Sequence, residues 1–218
     1  GCDTPEIAQI IRKEKFDGFL VLGWNKKSMW QAIRACWKTQ TPVYVRGDSH
    51  LHHDRVIPTH PFKRFLYPLF VGRFAACLAV GKWSAEFFSY CGARRIVFSP
   101  HCVDNEWFAK QASLSPEERG RARSKLGIPP AATVFLFAGK FEPKKRPFDI
   151  LLAVKDLVRS GSPRNGFRVL MVGDGPLREK CDAYIRQHSL PVTMAGFLNQ
   201  SEMPSAYAIA DLLILPSD

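Results

Sequence analysis

The chain has 218 residues, of which 46% are hydrophobic and 23% charged, and this composition excludes an intrinsically disordered protein. This number of hydrophobic residues is enough to fill one large hydrophobic core or two smaller ones. The net charge of +11, from 31 Lys and Arg against 20 Asp and Glu, favours an anionic partner such as nucleic acid, a phosphorylated substrate or an acidic membrane.

Cysteine spacing and hydropathy narrow the class of protein further. The six cysteines are scattered without a C-x-x-C spacing, which argues against a disulfide framework or a zinc site and favours reduced core thiols in a cytoplasmic protein. The apolar stretch at 65–81 contains Pro68 and Arg73, so it lacks the roughly 20 uninterrupted apolar residues that a membrane-spanning helix needs.

In the first part of the chain, apolar runs of strand length alternate with segments of helical period, a pattern typical of βα units in a parallel sheet. We expect these elements to form an α/β domain whose beginning is missing. Its predicted elements are a helix at 5–15, a strand at 18–22, a helix at 28–39, a strand at 42–46, a polar loop at 47–60, a helix at 62–74, a strand at 77–80, a helix at 84–90 and a strand at 96–98.

Residues 109–131 break this alternation. Ser115 is placed to cap a helix that has Pro116 at its first position and Glu118 at its third, and Gly127 closes the segment. This pattern predicts a connection between domains, with an N-terminal domain and linker at 1–128 and a C-terminal domain at 129–218. We expect the Arg residues at 119–123 to lie on a solvated face.

A second α/β series follows the connection. Since it ends directly after an apolar strand, and Gly1 leads almost directly into a helix, we expect the chain to be a fragment, cut at both ends. The predicted elements are a strand at 133–138, a helix at 147–159, a strand at 167–172, a helix at 176–188, a strand at 192–195, a helix at 201–210 and a strand at 212–215.

The segment 139–147, G-K-F-E-P-K-K-R-P, connects a buried strand to a helix. Ligands of parallel sheets bind at the carboxyl ends of strands, where the next helix offers free N–H groups and the positive end of its dipole. Lys140 and Lys145 could converge there on a diphosphate and neutralise its charge as it leaves. The alternative is a solvated basic loop.

The next strand-to-helix turn contains Gly173 and Gly175 in the sequence G-D-G-P. These glycines permit a tight turn and a close backbone approach, and Pro176 suits a first helical position. The ordinary preference of Gly, Asp and Pro for turns also explains this sequence without a ligand. Because successive βα turns of one sheet lie side by side, however, we expect this loop beside the basic one.

The order of these motifs resembles the second domain of the retaining glycosyltransferases of family 4. After the two turns come V-x-x-x-G-F at 192–197, a helix with Tyr207 and A-D-L-L-I-L-P-S at 210–217, and the likeness extends back to P-H-C-V-D at 100–104. The resemblance implies the GT-B architecture: an α/β fold with two Rossmann-like domains facing a cleft, both incomplete in this chain.

The resemblance also implies roles for individual residues around a nucleotide-diphosphate sugar of the UDP or GDP type. Lys140, which follows the strand glycine, and Lys145 match the positions that hold the diphosphate, although Lys140 stands where arginine is commoner and Arg146 where glycine is frequent. No metal or further cofactor is implied, and a pair of glutamates is expected beyond Asp218. The matching positions are Gly139, Lys140 and Lys145 at the diphosphate, Gly173 and Gly175 near the nucleotide, and Phe197 and Leu198 at the base.

In the first domain, the segment 46–54 follows a predicted strand end and carries the candidate catalytic residues Arg46, Asp48 and His50. Such side chains can hydrogen-bond a sugar hydroxyl or an acceptor. The resemblance places this loop near the transferred sugar. An ordinary polar loop is one alternative. Metal binding is another, although the spacing of the donors His50, His52, His53 and Asp54 fits no standard zinc pattern.

These features predict a metal-independent retaining hexosyltransferase that moves a sugar to a glycan or lipid-type acceptor and does not bind nucleic acid. We expect a cytoplasmic protein. The mixture of aromatic and basic residues in segment 60–74 suits peripheral contact with the inner face of a membrane, but a helix that covers the sheet is the favoured interpretation. One rival is a nucleic-acid or polyanion module, but the basic excess is concentrated in residues 1–128, away from the phosphate-loop candidates. Another is a GT-B relative such as a nucleotide-sugar epimerase or a phosphorylase.

Overall fold

A computed structural model of the chain describes the backbone of residues 3–51 and 61–218, and the side chains of 3–51 and 66–218. The chain divides into two compact units, Gly1–Val103 and Asp104–Asp218. Each unit is built around its own parallel sheet. The α/β class and the two-sheet organisation predicted from the sequence are therefore confirmed.

The described residues of the first unit form a parallel sheet of four strands that lie in chain order, β1-β2-β3-β4. A helix precedes each strand. Because the strands pair in parallel, the carboxyl ends of these four strands lie at one edge of the sheet. The described elements are α1 (Ile7–Glu14), β1 (Phe19–Val21), α2 (Lys27–Thr39), β2 (Val43–Gly47), α3 (Pro61–Val71), β3 (Ala76–Ala79), α4 (Lys82–Tyr90) and β4 (Ile96–Phe98).

The core of the first unit is apolar and contains free thiols. Cys36, Cys77 and Cys91 are buried and unpaired. Burial raises the pKa of Cys77 and of Cys91 to about 12, so both stay protonated at neutral pH. These cysteines act as small hydrophobic core residues, in agreement with the sequence interpretation.

Helix α3 covers the sheet, as the favoured interpretation of its sequence predicted. Val71 is fully buried, and Tyr67 and Phe70 pack against the core. Leu66 and Leu69 are exposed. In the part of the chain that the structure describes, no helix combines the length and the apolarity needed to cross a bilayer.

The second unit contains a parallel sheet in the order β7-β6-β5-β8. The chain starts at an inner strand, adds two strands on one side and then returns to add β8 on the other side. In such sheets, ligands bind outside the carboxyl ends of the strands near this reversal. The described elements are α5 (Asn105–Gln111), α6 (Pro116–Lys125), β5 (Thr133–Ala138), a 3₁₀ turn (Pro143–Lys145), α7 (Pro147–Arg159), β6 (Phe167–Val172), α8 (Arg178–His188), β7 (Val192–Gly196), α9 (Met203–Ile209) and β8 (Leu212–Leu213).

The segment predicted as a connection between domains belongs to the second unit. Its helix start is confirmed, because the Ser115 hydroxyl accepts a hydrogen bond from Glu118 N and the Glu118 carboxylate accepts one from Ser115 N. Residues 105–111 form α5, a helix that the sequence interpretation missed and that Asp104 caps. Leu114, Ala122, Leu126 and Ile128 pack into the core of the second unit. The two units consequently divide after Val103 and not after residue 128.

Helix α6 is held to the sheet by arginines that were expected to be solvated, and that expectation is wrong for Arg119 and Arg123. Arg123 is only 6% exposed, and its guanidinium donates to Ile209 O (3.0 Å), Ala132 O (3.1 Å) and Asp211 Oδ2 (2.9 Å). Arg119 donates to Ala208 O (2.9 Å) and to Asp211 Oδ1 (2.7 Å). These contacts tie α6 to the end of α9 and to the start of β5 and β8.

Asp211 accepts all the charged contacts of this network. It also accepts a hydrogen bond from Val134 N at 2.7 Å. Partial burial raises the pKa of this carboxyl, but the hydrogen bonds from Val134, Arg119 and Arg123 together outweigh burial and hold the pKa below its usual value of 3.8. Asp211 is therefore ionised in the folded protein at neutral pH.

Asp211→Asn is expected to lower the free energy of unfolding of the second unit by about 2 to 4 kcal/mol, because it leaves the buried Arg123 guanidinium without its anionic partner. Urea unfolding and hydrogen exchange of α6 measure the effect. The control is Asp182→Asn, which removes an exposed pair with Arg186 and should cost about 0.5 kcal/mol or less. Equal losses in the two variants would contradict the assigned role of Asp211.

The stability advantage of the wild type over Asp211→Asn is expected to depend on pH. Since folding lowers the pKa of Asp211, its contribution is complete above the unfolded value of 3.8 and is lost as the pH falls through the folded value. Urea midpoints of both proteins, measured from neutral pH to below 3.8, should converge at the acid end. A difference that stays constant over this range would contradict the assignment.

Candidate functional site

A cavity of about 600 Å³ lies at the carboxyl ends of β5, β6 and β7 in the second unit. It brings together all the residues that the sequence associated with a nucleotide except Lys145. Its walls combine strand-end loops with two side chains of α9. The lining residues are Ala138, Gly139, Lys140, Glu142, Val172, Gly173, Asp174, Gly175, Phe197, Leu198, Met203 and Tyr207.

The basic loop after β5 places its two candidate lysines differently. Lys140 lines the cavity and its side chain is 78% exposed. Lys145 ends the 3₁₀ turn before α7 and is not among the lining residues. Glu142, which the sequence interpretation left without a role, lies within 4.0 Å of the ammonium of Lys140 and 3.8 Å of that of Lys144. The carboxylate therefore lies between two exposed ammonium groups, of which only that of Lys140 belongs to a residue that lines the cavity.

The glycines of the turn after β6 serve the packing of two loops against each other. A Cβ on Gly173 would lie 2.0 Å from Gly139 O, and one on Gly175 would lie 2.8 Å from Phe141 O. Both glycines have positive φ, 133° and 152°. Phe141 N donates to Asp174 O at 2.9 Å, which joins the loops through their backbones. The sequence predicted a close backbone approach at these glycines, and in the structure it joins the loop after β5 to the loop after β6.

Two charged side chains shape the rims of these loops. Asp174 accepts hydrogen bonds from Gly175 N at 2.8 Å and from Arg178 Nη1 at 3.2 Å, which fixes the start of α8. Arg146, at the position where glycine is frequent, adopts the left-handed conformation with φ 48° and ψ 42°. Its guanidinium pairs with Asp149 and with Asp218, whose backbone N–H donates to Lys144 O. An arginine therefore takes up the conformation that a glycine would favour and ties the segment after β8 to the basic loop.

Gly173→Ala is expected to destabilise the second unit by about 3 kcal/mol, because the added methyl group collides with the Gly139 carbonyl in addition to straining a positive φ. Gly161→Ala is the matched control. Gly161 has φ 92° and open space around the same position, so only the strain term, about 1 kcal/mol, should remain. Urea unfolding compares the two, and equal losses would show that the close approach costs nothing.

A second cavity, of about 380 Å³, lies at the carboxyl ends of the strands in the first unit. Residues that follow all four strands contribute to it, and aromatic side chains of α3 and α4 complete its wall. The lining residues are Leu22, Gly23, Trp24, Asn25, Arg46, Gly47, Asp48, Ser49, Tyr67, Val80, Phe87, Phe88 and His101.

This cavity contains two of the three candidate catalytic residues. Arg46 and Asp48 line it, whereas His50 does not and instead lies with its ring centroid 5.8 Å from that of Trp83. His101 lines the cavity although the sequence interpretation gave it no role. The available signal was its position three residues after the end of β4, since residues that follow neighbouring parallel strands meet at one edge of the sheet.

Metal binding at the segment 46–54 finds no support in the described residues. No group of three or more His, Cys, Asp or Glu side chains able to hold a metal ion occurs within 3–51 and 66–218. The further donors proposed for this site, His52, His53 and Asp54, lie outside the described residues.

Comparisons with known proteins find similarity to glycosyltransferases. Residues 118–218 match the family described as "Glycosyl transferases group 1". The chain is 30% identical over 129 residues to 2-deoxystreptamine glucosyltransferase of Streptomyces kanamyceticus, covering 57% of this chain and 32% of that enzyme. It is 33% identical over 109 residues to D-inositol 3-phosphate glycosyltransferase of Rhodococcus jostii, covering 47% of this chain and 24% of that enzyme. The chain thus spans a third or less of the length of these relatives.

The fold of the chain also resembles that of solved structures. The Anabaena protein HepE, in complex with UDP and glucose, matches 98% of this chain and 56% of its own with a TM-score of 0.70 and 19% identity. At this identity the likeness concerns the fold. It confirms an α/β fold with two Rossmann-like, parallel-sheet halves of the GT-B type.

Proposed function

We propose that the protein to which this chain belongs is a glycosyltransferase that uses a nucleotide-diphosphate sugar of the UDP or GDP type as donor. The supporting observation is the 600 Å³ cavity at the strand ends of the second unit, which gathers the predicted nucleotide residues except Lys145. The match of residues 118–218 to the group 1 glycosyl transferases supports the same activity. The names of the relatives, a glucosyltransferase and a glycosyltransferase, favour transfer of a hexose.

Lys140 is the cation that we assign to the diphosphate. It lines the cavity, and only Glu142 pairs with it among the described side chains, at 4.0 Å. An anionic phosphate competes with this long and exposed pair, so the ammonium can transfer to the ligand at small cost. Lys145, at the end of the 3₁₀ turn, acts from the edge of the site. Phe197, 73% exposed, and Leu198 supply an apolar wall for the base.

The reaction is proposed to proceed with retention and without a metal. The acceptor hydroxyl attacks the anomeric carbon from the face that the diphosphate leaves, the bond from that carbon to the phosphate oxygen breaks, and the departing phosphate takes the hydroxyl proton. Charge develops on the leaving group, where the Lys140 ammonium stabilises it. The first unit, with the cavity containing Arg46 and Asp48, is assigned to a glycan or lipid-type acceptor. We place the protein in the cytoplasm, where it can contact a membrane peripherally.

UDP, GDP and ADP are the probes for the donor site. We expect at least one of the three to raise the thermal unfolding midpoint of this chain, because ligand that binds only the folded state adds about 2.7 kcal/mol of stability at 100 times its Kd. Lys140→Ala should weaken that nucleotide by about 10-fold or more, since it removes a charge-assisted contact to phosphate. Lys144→Ala is the matched control, because Lys144 also approaches Glu142 but does not line the cavity.

Equal weakening by the two lysine variants would contradict the assignment of Lys140. If none of the nucleotides shifts the midpoint while an oligonucleotide binds with a steep dependence on salt, the polyanion-binding alternative gains and the transferase proposal fails.

A further inference from the structure

The cavity of the first unit contains a histidine whose hydrogen bonding is dictated by an arginine. Arg46 Nη2 lies 3.2 Å from His101 Nδ1. A guanidinium has donors only, so the histidine nitrogen in this contact is the acceptor. An imidazole that accepts at Nδ1 carries its proton on Nε2. The donor that His101 can offer to a ligand is consequently Nε2–H.

Arg46 itself is occupied by the protein. Its Nε donates to Ser99 O and Oγ, both at 3.2 Å, and its Nη2 donates to Ser99 O at 3.0 Å and Pro100 O at 3.1 Å. These bonds attach the segment after β4 to the end of β2. The arginine, predicted as a catalytic residue, is therefore placed to position His101.

The remaining chemistry of the cavity suits a small uncharged ligand. Arg46 and Asp48 carry opposite charges and both line the cavity, and no lysine among the residues with described side chains does. Trp24, Phe87 and Phe88 supply an aromatic wall, against which the apolar C–H face of a ring can pack. A volume of about 380 Å³ is at the lower end of ligand pockets and fits a single ring better than a lipid chain.

We infer that this cavity binds a neutral, polyhydroxylated ring as acceptor, and that His101, held by Arg46 as an Nε2–H donor, hydrogen-bonds one of its hydroxyl oxygens. The inference deepens the proposed function and depends on it, because it names the class of acceptor. Asp48 and Asn25 supply the acceptor groups that the ring hydroxyls need for their own protons. The ligand is recognised by paired donors and acceptors and not by net charge.

The first experiment reads the protonated nitrogen of His101 directly. Long-range ¹H–¹⁵N spectra of the chain labelled with ¹⁵N-histidine, with the signal assigned by its loss in His101→Asn, should show the Nε2–H form. Arg46→Met should convert this signal to a mixture of both forms, a change that a purely structural arginine would not cause. An Nδ1–H signal in the wild-type chain overturns the proposal, and this measurement needs no variant of Arg46 to fold.

The second experiment titrates the chain with glucose, as a neutral polyhydroxylated ring, and separately with inorganic phosphate. Glucose should shift the signals of His101 and of the Trp24 indole. His101→Leu should weaken glucose binding about 10-fold, the loss of one hydrogen bond, while His101→Asn keeps an amide donor and retains most of the affinity. His188→Gln is the control, because His188 lies on α8 and lines neither cavity.

Three results would overturn the inference: tighter binding of phosphate than of glucose at these signals, no shift up to the solubility limit of glucose, or unchanged affinity in His101→Leu. The outcome is separable from that of the proposed function. Nucleotide binding depends on Lys140 in the other cavity, so a chain that binds UDP but not glucose refutes only the acceptor assignment.

Discussion

The candidate donor site depends on the close contact between the loops that follow β5 and β6. The backbone of Gly173 approaches Gly139 O so closely that a methyl group would lie 2.0 Å from it, and Phe141 N donates to Asp174 O. Since Leu177 N in turn donates to Phe141 O at 2.9 Å, the start of α8 is fixed by the same loop. Lys140, Glu142 and Asp174 hold their positions because the two loops behave as one layer. Gly173 and Gly175 therefore shape the site by allowing the two loops to pack against each other.

A second constraint acts at the amino ends of the strands in the sheet of the second unit. Asp211 lies just before β8 and accepts hydrogen bonds from Arg119 and Arg123 on α6 and from Val134 at the start of β5. One carboxylate thereby joins a helix, an inner strand and the last strand of the sheet. Because Arg123 is buried, loss of its anionic partner would leave an uncompensated buried charge and destabilise the second unit. It explains why the helix that was predicted as a connection is an integral part of the second unit.

The sequence predicted the periodic features of the fold and missed features that depend on distant partners. Strands 133–138 and 167–172 and helix 147–159 coincide with the observed elements, because their apolar periods are regular and their boundaries carry clear signals such as Pro147. Arg119 and Arg123 were assigned to solvent because their local sequence is polar, and only the fold brings Asp211 beside them. Lys145 was assigned to the diphosphate from its position before the helix and from the family resemblance. It ends the 3₁₀ turn and does not line the cavity, and its role stays a prediction. His101 was missed because its partner, Arg46, is 55 residues away in the chain.

The guanidinium of Arg46 forms its hydrogen bonds with residues that follow a strand not adjacent to its own. In the described sheet β3 lies between β2, which carries the arginine, and β4, which pairs with β3 alone and precedes the residues that accept the bonds. Sheet edges open more readily than sheet centres, and such local opening requires less free energy than unfolding of the whole unit. Fraying of three residues, Ile96–Phe98, would detach Ser99, Pro100 and His101 together and dismantle the pocket while the remaining sheet stays intact. Opening of β4 would therefore limit the lifetime of the pocket, and an occupant that binds His101 would stabilise this edge strand.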